Sequence, residues 1–254
     1  MSVDLYHAEP AANSLKVLLA FKEKGFPFES HLVRLNKFEQ HEPWFVKINP
    51  NGQVPVLVHD GNVITESTVI NEYADEVFEG PPLRPADALG KAHMRIWTKF
   101  VDEYFCPALS FLGWHRIIKG FVKDLTPEEF EAKISRIPLK EQQDKWRDAA
   151  KQVWPQAQLD DWARRCETSI RRMEKQLAET KWLAGPNFTL ADVSCFAMAF
   201  SMDKMFPQFV NEKSCPHVMD WHARMHARPG SKAAFQMPDH LKGTTTHINE
   251  RAKA

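Results

Sequence analysis

The chain has 254 residues, and 33 Lys plus Arg are balanced by 33 Asp plus Glu, so its formal net charge is zero. That length suffices for one large domain or two small ones with a real hydrophobic core. Zero net charge leaves no electrostatic footprint for DNA, RNA or an anionic membrane. No apolar run of about 18 or more residues occurs, so no transmembrane helix is expected. The opening MSVDLYHAEP lacks the basic and apolar regions of a secretory signal. The four cysteines, Cys106, Cys166, Cys195 and Cys215, form neither a CxxC pair nor a zinc spacing. They read as reduced thiols of a cytoplasmic protein with no metal.

In chain order, VDLY (Val3 to Tyr6) predicts a short strand, and NSLKVLLAFKEKG an amphipathic helix that stops at Gly25. FESHLVRL predicts a second strand. An irregular or helical stretch follows, then VPVLVHDGNVIT as a hairpin with Asp60-Gly61 as its turn, then ESTVINEYADEVF as a helix. Within this run Pro55 sits behind a valine where a strand should exclude it. The order βαβ…ββα predicts a small mixed sheet with helices on its faces, as in a thioredoxin-like unit, over residues 1–80. EGPPLRPADA supplies three prolines and reads as a linker centred on 81–88.

Residues 89–254 read as an all-helical domain. KAHMRIWTKFVDEYF places Met94, Trp97, Val101, Tyr104 and Phe105 at steps of three and four, and Pro107 should kink or break the helix beyond it. QLDDWARRCETSIRRMEKQLAET repeats the pattern. TLADVSCFAMAFSMDKM is apolar nearly all round, which predicts the central buried helix. Its start carries a capping box, Thr189 with Asp192, and a hydrophobic staple of Phe188 on Val193. MDWHARMHARPG predicts one more short helix, and the polar tail after about Pro238 should be extended.

A thioredoxin-like half followed by a helical half resembles the glutathione transferase superfamily. NPNGQVPVLV is similar to that family's loop before a cis-proline, TESTVI to its Glu-Ser glutathione motif, LRPADALGKAHMRIW to its linker and first bundle helix, and FTLADV to its capping box. KFEQHEPWFVKINPNGQVP, RIWTKFVDEYFC and IPLKEQQDKW further resemble the glutathione-dependent β-etherases of bacterial lignin breakdown.

The resemblance implies glutathione as co-substrate and a site to hold it. A cis Val54-Pro55 peptide would turn the Val54 N–H and C=O outward to pair with the cysteinyl backbone like one rung of antiparallel sheet, and proline makes cis accessible at about 0.5–1 kcal/mol. Ser67 at a helix start, with the free amides beside it, would hold the glutamyl carboxylate, and Glu66 would face the glutamyl ammonium. Gln53 and the KFEQH loop, with Lys37, Gln40 and His41, are candidates for the glycyl end.

A thiol of pKa about 8.5 is mostly protonated at neutral pH, so the enzyme must stabilise the thiolate. The resemblance puts Ser14 in the place of the serine of serine-type relatives, and Asn13 in that of an asparagine used by the Nu-like class. A donor from either would be worth about 1.5–3 kcal/mol. Tyr6 is a rival placed below both.

The acceptor pocket should lie between the two halves. Candidate walls are Tyr104, Phe111, Trp114 and His115 on the first bundle helix and Trp146 and Arg147 on EQQDKWRDAAKQVW, since aromatic rings stack on aromatic substrates. Core packing is the competing role for each.

The reaction implied is cleavage of β-aryl ethers of lignin-derived phenylpropanoid ketones, by thiolate displacement of a phenolate with inversion at carbon. Tyr104 or His115 is the candidate hydrogen-bond donor to the leaving group. A general detoxifying transferase, a Nu-like disulfide reductase and a non-catalytic interaction module are the rivals. The resemblance also implies a homodimer.

Overall fold

Among the described residues four short strands, β1 (Val3–His7), β2 (Glu29–Leu32), β3 (Val56–His59) and β4 (Asn62–Ile64), form one sheet in the order β2-β1-β3-β4. The computed structural model describes residues 2–236, so the tail predicted beyond Pro238 lies outside the described residues. β1 and β2 are parallel, joined through α1 (Ala12–Lys24); β3 runs antiparallel to both β1 and β4. Asp60 and Gly61 have φ of 46° and 80°, both positive, as a two-residue hairpin turn of the strands' own twist requires.

Alternation along the strands gives the sheet two faces. Leu5 and Leu57 pair across the ladder and join the main core with α1 and α3 (Ser67–Val77). Val56, one residue along, faces the other way, onto Val33 and Phe45 of α2 (Pro43–Val46). The stretch expected to be irregular or helical holds α2 and two single 3-10 turns, Leu35–Lys37 and Glu39–His41. A buried carboxylate ties the layers. Asp75 of α3 accepts from Lys24 Nζ at 3.0 Å, from the Leu83 N–H at 2.8 Å and from Arg84 Nε at 3.1 Å.

The remaining elements are helical: α4 (Ala88–Phe100), α5 (Cys106–Val122), α6 (Pro127–Ile134), α7 (Lys140–Lys151), α8 (Gln156–Leu177), α9 (Leu190–Ala199), α10 (Met202–Met205), α11 (Pro216–Ala227) and α12 (Pro229–Ala234). α4 runs into α5 through a π-helical turn at Val101–Phe105, where the Cys106 N–H bonds the Val101 carbonyl. This is the form the expected disturbance at Pro107 takes. Proline cannot bond back to residue 103, and the helix widens by one residue just ahead of it.

Every residue of α9 is buried, as its all-round apolar sequence predicts. Its capping box is present, with the Thr189 N–H bonded to Asp192 Oδ2 at 3.0 Å. A second, smaller core joins Phe38 of the first half to Ile118, Ile134, Ile137, Trp146 and Ala149. It braces the loop before α2 against α5, α6 and α7. Among the described residues no helix is long and apolar enough to cross a membrane.

Candidate active site

The end of β1 and the start of α1 set the first part of the site. Ser14 is buried, and its Oγ accepts from the Ala8 N–H at 3.0 Å. The Ala8 carbonyl is held from the other side by His7 Nδ1 at 2.6 Å, while Ser30 Oγ meets His7 Nε2 at 2.6 Å. The carbonyl can only accept, so Nδ1 carries the proton and Nε2 accepts from the serine. Burial lowers the His7 pKa to about 4 and keeps this neutral form. Ala8 is therefore fixed through both its N–H and its carbonyl. Ser14 uses an oxygen lone pair to bind it and keeps its own O–H proton to give elsewhere. Asn13 stands beside it, its Oδ1 accepting from the Cys106 thiol at 3.7 Å, which leaves its NH2 as a donor. Tyr6 is differently placed. It stacks on His31 at 4.5 Å, and burial followed by the Asp4 charge raises its pKa, the wrong direction for a thiolate activator.

The second part comes from the loops at the same end of the sheet. The Val54-Pro55 peptide is cis, and β3 begins only at Val56, so the Val54 peptide groups lie ahead of the ladder. Gln53 is exposed, and its carbonyl accepts from Asn49 Nδ2 at 2.8 Å. Ser67 is buried at the first position of α3, whose N-terminus has no side-chain cap. Glu66 precedes it with φ +67° and its side chain exposed.

His41 and Gln40 are buried side by side, Gln40 Nε2 meeting His41 Nε2 at 3.1 Å. His41 Nδ1 has no hydrogen-bond partner, and burial lowers its pKa to about 4. It lies against Gly52, where a Cβ would come within 2.7 Å of Nδ1 and φ is +62°, so only glycine fits. Lys37 is exposed at the end of the first 3-10 turn. Among the described residues five non-glycine residues have positive φ, and three, Ala12, Phe38 and Glu66, lie in these segments. Such conformations cost about 1–3 kcal/mol each and gather at ligand sites.

The residues predicted to wall a second pocket separate into groups. Phe111 stacks on Trp162 at 4.5 Å and meets Trp154 edge-on. Trp114 packs at 4.9 Å on Trp146. Trp146 is itself buried in the second core against Phe38 at 4.5 Å. It braces the Phe38–His41 loop instead of standing open as a wall. Arg147 turns to the outside of α7, bonded to Glu131 and Asp144; its guanidinium is occupied there, and it does not join the aromatic group. Tyr104 is turned to α8, with the Arg165 guanidinium 4.5 Å above its ring. His115 sits 6.0 Å from Trp154, and its Nδ1 is buried without a partner.

Lys145, one position before Trp146, occupies the place that sequence reasoning gave to its neighbours. Its ammonium lies 4.2 Å from the Phe111 ring centroid, 4.4 Å from that of Trp114 and 3.0 Å from Ser110 Oγ. Burial lowers its pKa to about 8, against the pull of Cys106. Burial likewise raises the Cys106 thiol, more than Lys16, Lys145 and Asn13 lower it. The available signal was the i, i+4 spacing of Lys145 with Ala149, the buried small residue of the same helix. Lys16, fully buried in α1, bonds Thr68 Oγ1 at 2.8 Å and Asp102 at 2.6 Å, joining α1, α3 and the π turn below the site.

Two family models match the chain. Glutathione S-transferase, N-terminal domain, covers residues 1–76, and Glutathione S-transferase, C-terminal domain, covers 156–224. Protein LigF of Sphingobium sp. (strain NBRC 103272 / SYK-6) is 45% identical over 242 residues, 93% of this chain and 94% of that protein.

The chain belongs to the glutathione S-transferase family.

The crystal structure of beta-etherase LigF from Sphingobium sp. strain SYK-6 superposes on this transferase with a TM-score of 0.89, covering 92% of this chain and 99% of the other. Glutathione S-transferase 3 of Zea mays is 28% identical over 92% of this chain and 95% of its own. The sheet and helical half described above are thus the glutathione S-transferase fold, with a thioredoxin-like first half. Among the described residues no group of three or more His, Cys, Asp or Glu side chains is placed to hold a metal ion.

Proposed function

We propose that this transferase cleaves β-aryl ethers of lignin-derived phenylpropanoid ketones with glutathione, forming a thioether and releasing a phenol. The observation that carries the reading is the near-full-length likeness to beta-etherase LigF. It is supported by the aromatic group of Phe111 and Trp114 on α5, the helix whose first residue, Cys106, meets Asn13. Ser14, with Asn13, stabilises the glutathione thiolate. The uncapped start of α3 with Ser67 takes the glutamyl carboxylate, and Glu66 takes the ammonium. Val54 pairs with the cysteinyl backbone, and Gln53, Lys37, Gln40 and His41 take the glycyl end. Residues 1–80 form the glutathione domain, 81–88 the linker and 89–254 the acceptor domain.

The sulfur attacks the carbon that bears the ether oxygen, activated by the adjacent ketone. Alignment of two bound reactants contributes up to about 7–11 kcal/mol. The test is incubation with glutathione and a racemic guaiacyl β-ether ketone, with guaiacol release followed by chiral chromatography. About half of the racemate should react, because rear attack in a shaped pocket selects one enantiomer, and the corresponding alcohol should be inert. No guaiacol from either enantiomer would leave a general transferase, tested with chlorodinitrobenzene, as the better reading. The chain is also expected to be a homodimer. Exposed Val63, Val69 and Ile96 on β4, α3 and α4 support this, and light scattering that shows only monomer would refute it.

A further inference from the structure

The geometry points to Lys145 as a catalytic residue that gives a proton to the ether oxygen as the carbon–oxygen bond breaks, an assignment that rests on the etherase reading. Three observations carry it. First, among the described residues no carboxylate pairs with this ammonium. It is held by two ring faces and one hydroxyl, from Phe111, Trp114 and Ser110. A cation over aromatic faces recovers far less than an ammonium's hydration, so this is a costly place for an idle lysine. Second, Phe111 is already stacked on Trp162, but Trp114, half-buried beside the ammonium, is a ring on which an aryl ether would stack, so the charge and the aryl group share one wall.

Third, the spacing suits an in-line displacement. Cys106, Ser110 and Trp114 follow at successive turns on one face of α5. Cys106 meets Asn13, beside the thiolate-stabilising Ser14, and Ser110 meets Lys145. One turn separates the two contacts, about 6 Å along the helix. Sulfur and carbon approach to about 3–3.5 Å before reaction, and the leaving oxygen lies on the far side of that carbon. The departing group therefore moves from the Asn13 end of the stripe toward the Lys145 end.

The step balances without any further reactant. The thiolate pair forms the carbon–sulfur bond, and the carbon–oxygen pair passes to oxygen. Oxygen takes the Lys145 proton and leaves as the neutral phenol, and the lysine amine recovers its proton from water. A phenol of pKa about 10 is a weaker acid than an ammonium whose pKa burial has lowered to about 8, so the transfer runs downhill. From α5 the titratable group facing Lys145 is Cys106, neutral at working pH because burial raises its thiol. Behind it the charges of Lys16 on α1 and Asp102 on the π turn pair with each other. On α7 itself Asp144 is turned to Lys140 and Arg147.

The experiment compares two ether ketones in the wild type, Lys145→Met and Lys145→Arg, one releasing guaiacol and one releasing 4-nitrophenol. With Lys145→Met, guaiacol release should fall about 10²–10³-fold and nitrophenol release less than about tenfold, since the better leaving group needs no proton. Methionine keeps the apolar stem against the rings, and an unchanged unfolding midpoint would confirm the fold. Lys145→Arg should restore part of the guaiacol activity, and the alkaline fall in rate near pH 8 should move upward, because arginine keeps its charge. The ultraviolet titration of bound glutathione should be unchanged in both variants. Equal losses on the two ethers, no loss on either, or a shifted thiol pKa would overturn the assignment. A wild type that releases no guaiacol would instead defeat the etherase reading, and this inference with it, before any variant is compared.

Discussion

Ser14→Ala should raise the thiol pKa of bound glutathione by about one to two units and lower the rate at neutral pH about 10–100-fold, at about 1.4 kcal/mol per unit. The magnitude follows from the hydrogen-bond geometry. Ser14 Oγ already accepts from the Ala8 N–H, so its one proton is available to the sulfur, and a bond to an ionised partner is about twice as strong as a neutral one. The Ala8 peptide is clamped by His7 and Ser30 behind it, so the hydroxyl is held in place before any ligand arrives. Removing Oγ leaves one buried N–H unsatisfied, a cost of about 1–3 kcal/mol to the fold, which a chain of ordinary stability survives. Asn13→Ala should act in the same direction, because its NH2 is the second donor while its oxygen is occupied by Cys106. Ultraviolet titration of the bound thiol measures both, and an unchanged pKa in both variants would sink the assignment.

Features that announce themselves locally were legible before the structure. Asp60-Gly61 needs positive φ at both positions, and few residue pairs provide it. Thr189 and Asp192 form a cap within three residues of each other. Ser14, Asn13, Ser67 and Pro55 sit in short segments where the family resemblance adds a role to a visible helix start or strand. What was not legible depends on partners far along the chain. Trp146 and Lys145 are adjacent in sequence, and only the docking of α7 decides that the tryptophan turns under Phe38 while the lysine turns toward Ser110. Tyr104 and Phe111 appear on one stripe of an ideal 3.6-residue helix. The π turn at Val101–Phe105 adds a residue between them, and both rings pack on α8, Tyr104 under Arg165 and Phe111 on Trp162, where the stripe alone suggested an open wall. Extra residues in a turn cannot be read from periodicity that assumes none. The partners of the buried Lys16 lie on α3 and the π turn, 52 and 86 residues away, and no local pattern marks them.

The largest loss of stability is expected at Asp192, where a local signal proved to be only part of the interaction. The capping box accounts for the donors of Thr189, its N–H at 3.0 Å and its hydroxyl at 3.4 Å, both on Oδ2. The same carboxylate also accepts from the Leu183 N–H and from Trp221 Nε1, each at 3.0 Å through Oδ1. It thereby joins the start of α9, the segment before it and α11, all in the main core. Asp192 is fully buried, and desolvation raises its pKa to about 6 in spite of these donors, so it is ionised at neutral pH. Asp192→Ala leaves three buried N–H donors without an acceptor, at about 1–3 kcal/mol each, and removes a partner of the Thr189 hydroxyl. Relief of the buried charge offsets part of this, so the expected net cost is about 3–5 kcal/mol, a large share of a domain's usual 5–15 kcal/mol. Asp192→Asn keeps the volume and one acceptor but turns an NH2 toward a donor, and should cost about 2 kcal/mol. Urea unfolding with matched m-values reads both. A loss below about 1 kcal/mol in the alanine variant would show that the donors find water or other partners. The thiol pKa of bound glutathione should not move in the folded Asn variant. Asp192 bonds α11 and the segment before α9, while Ser14, the proposed thiolate donor, is bonded to Ala8 at the start of α1.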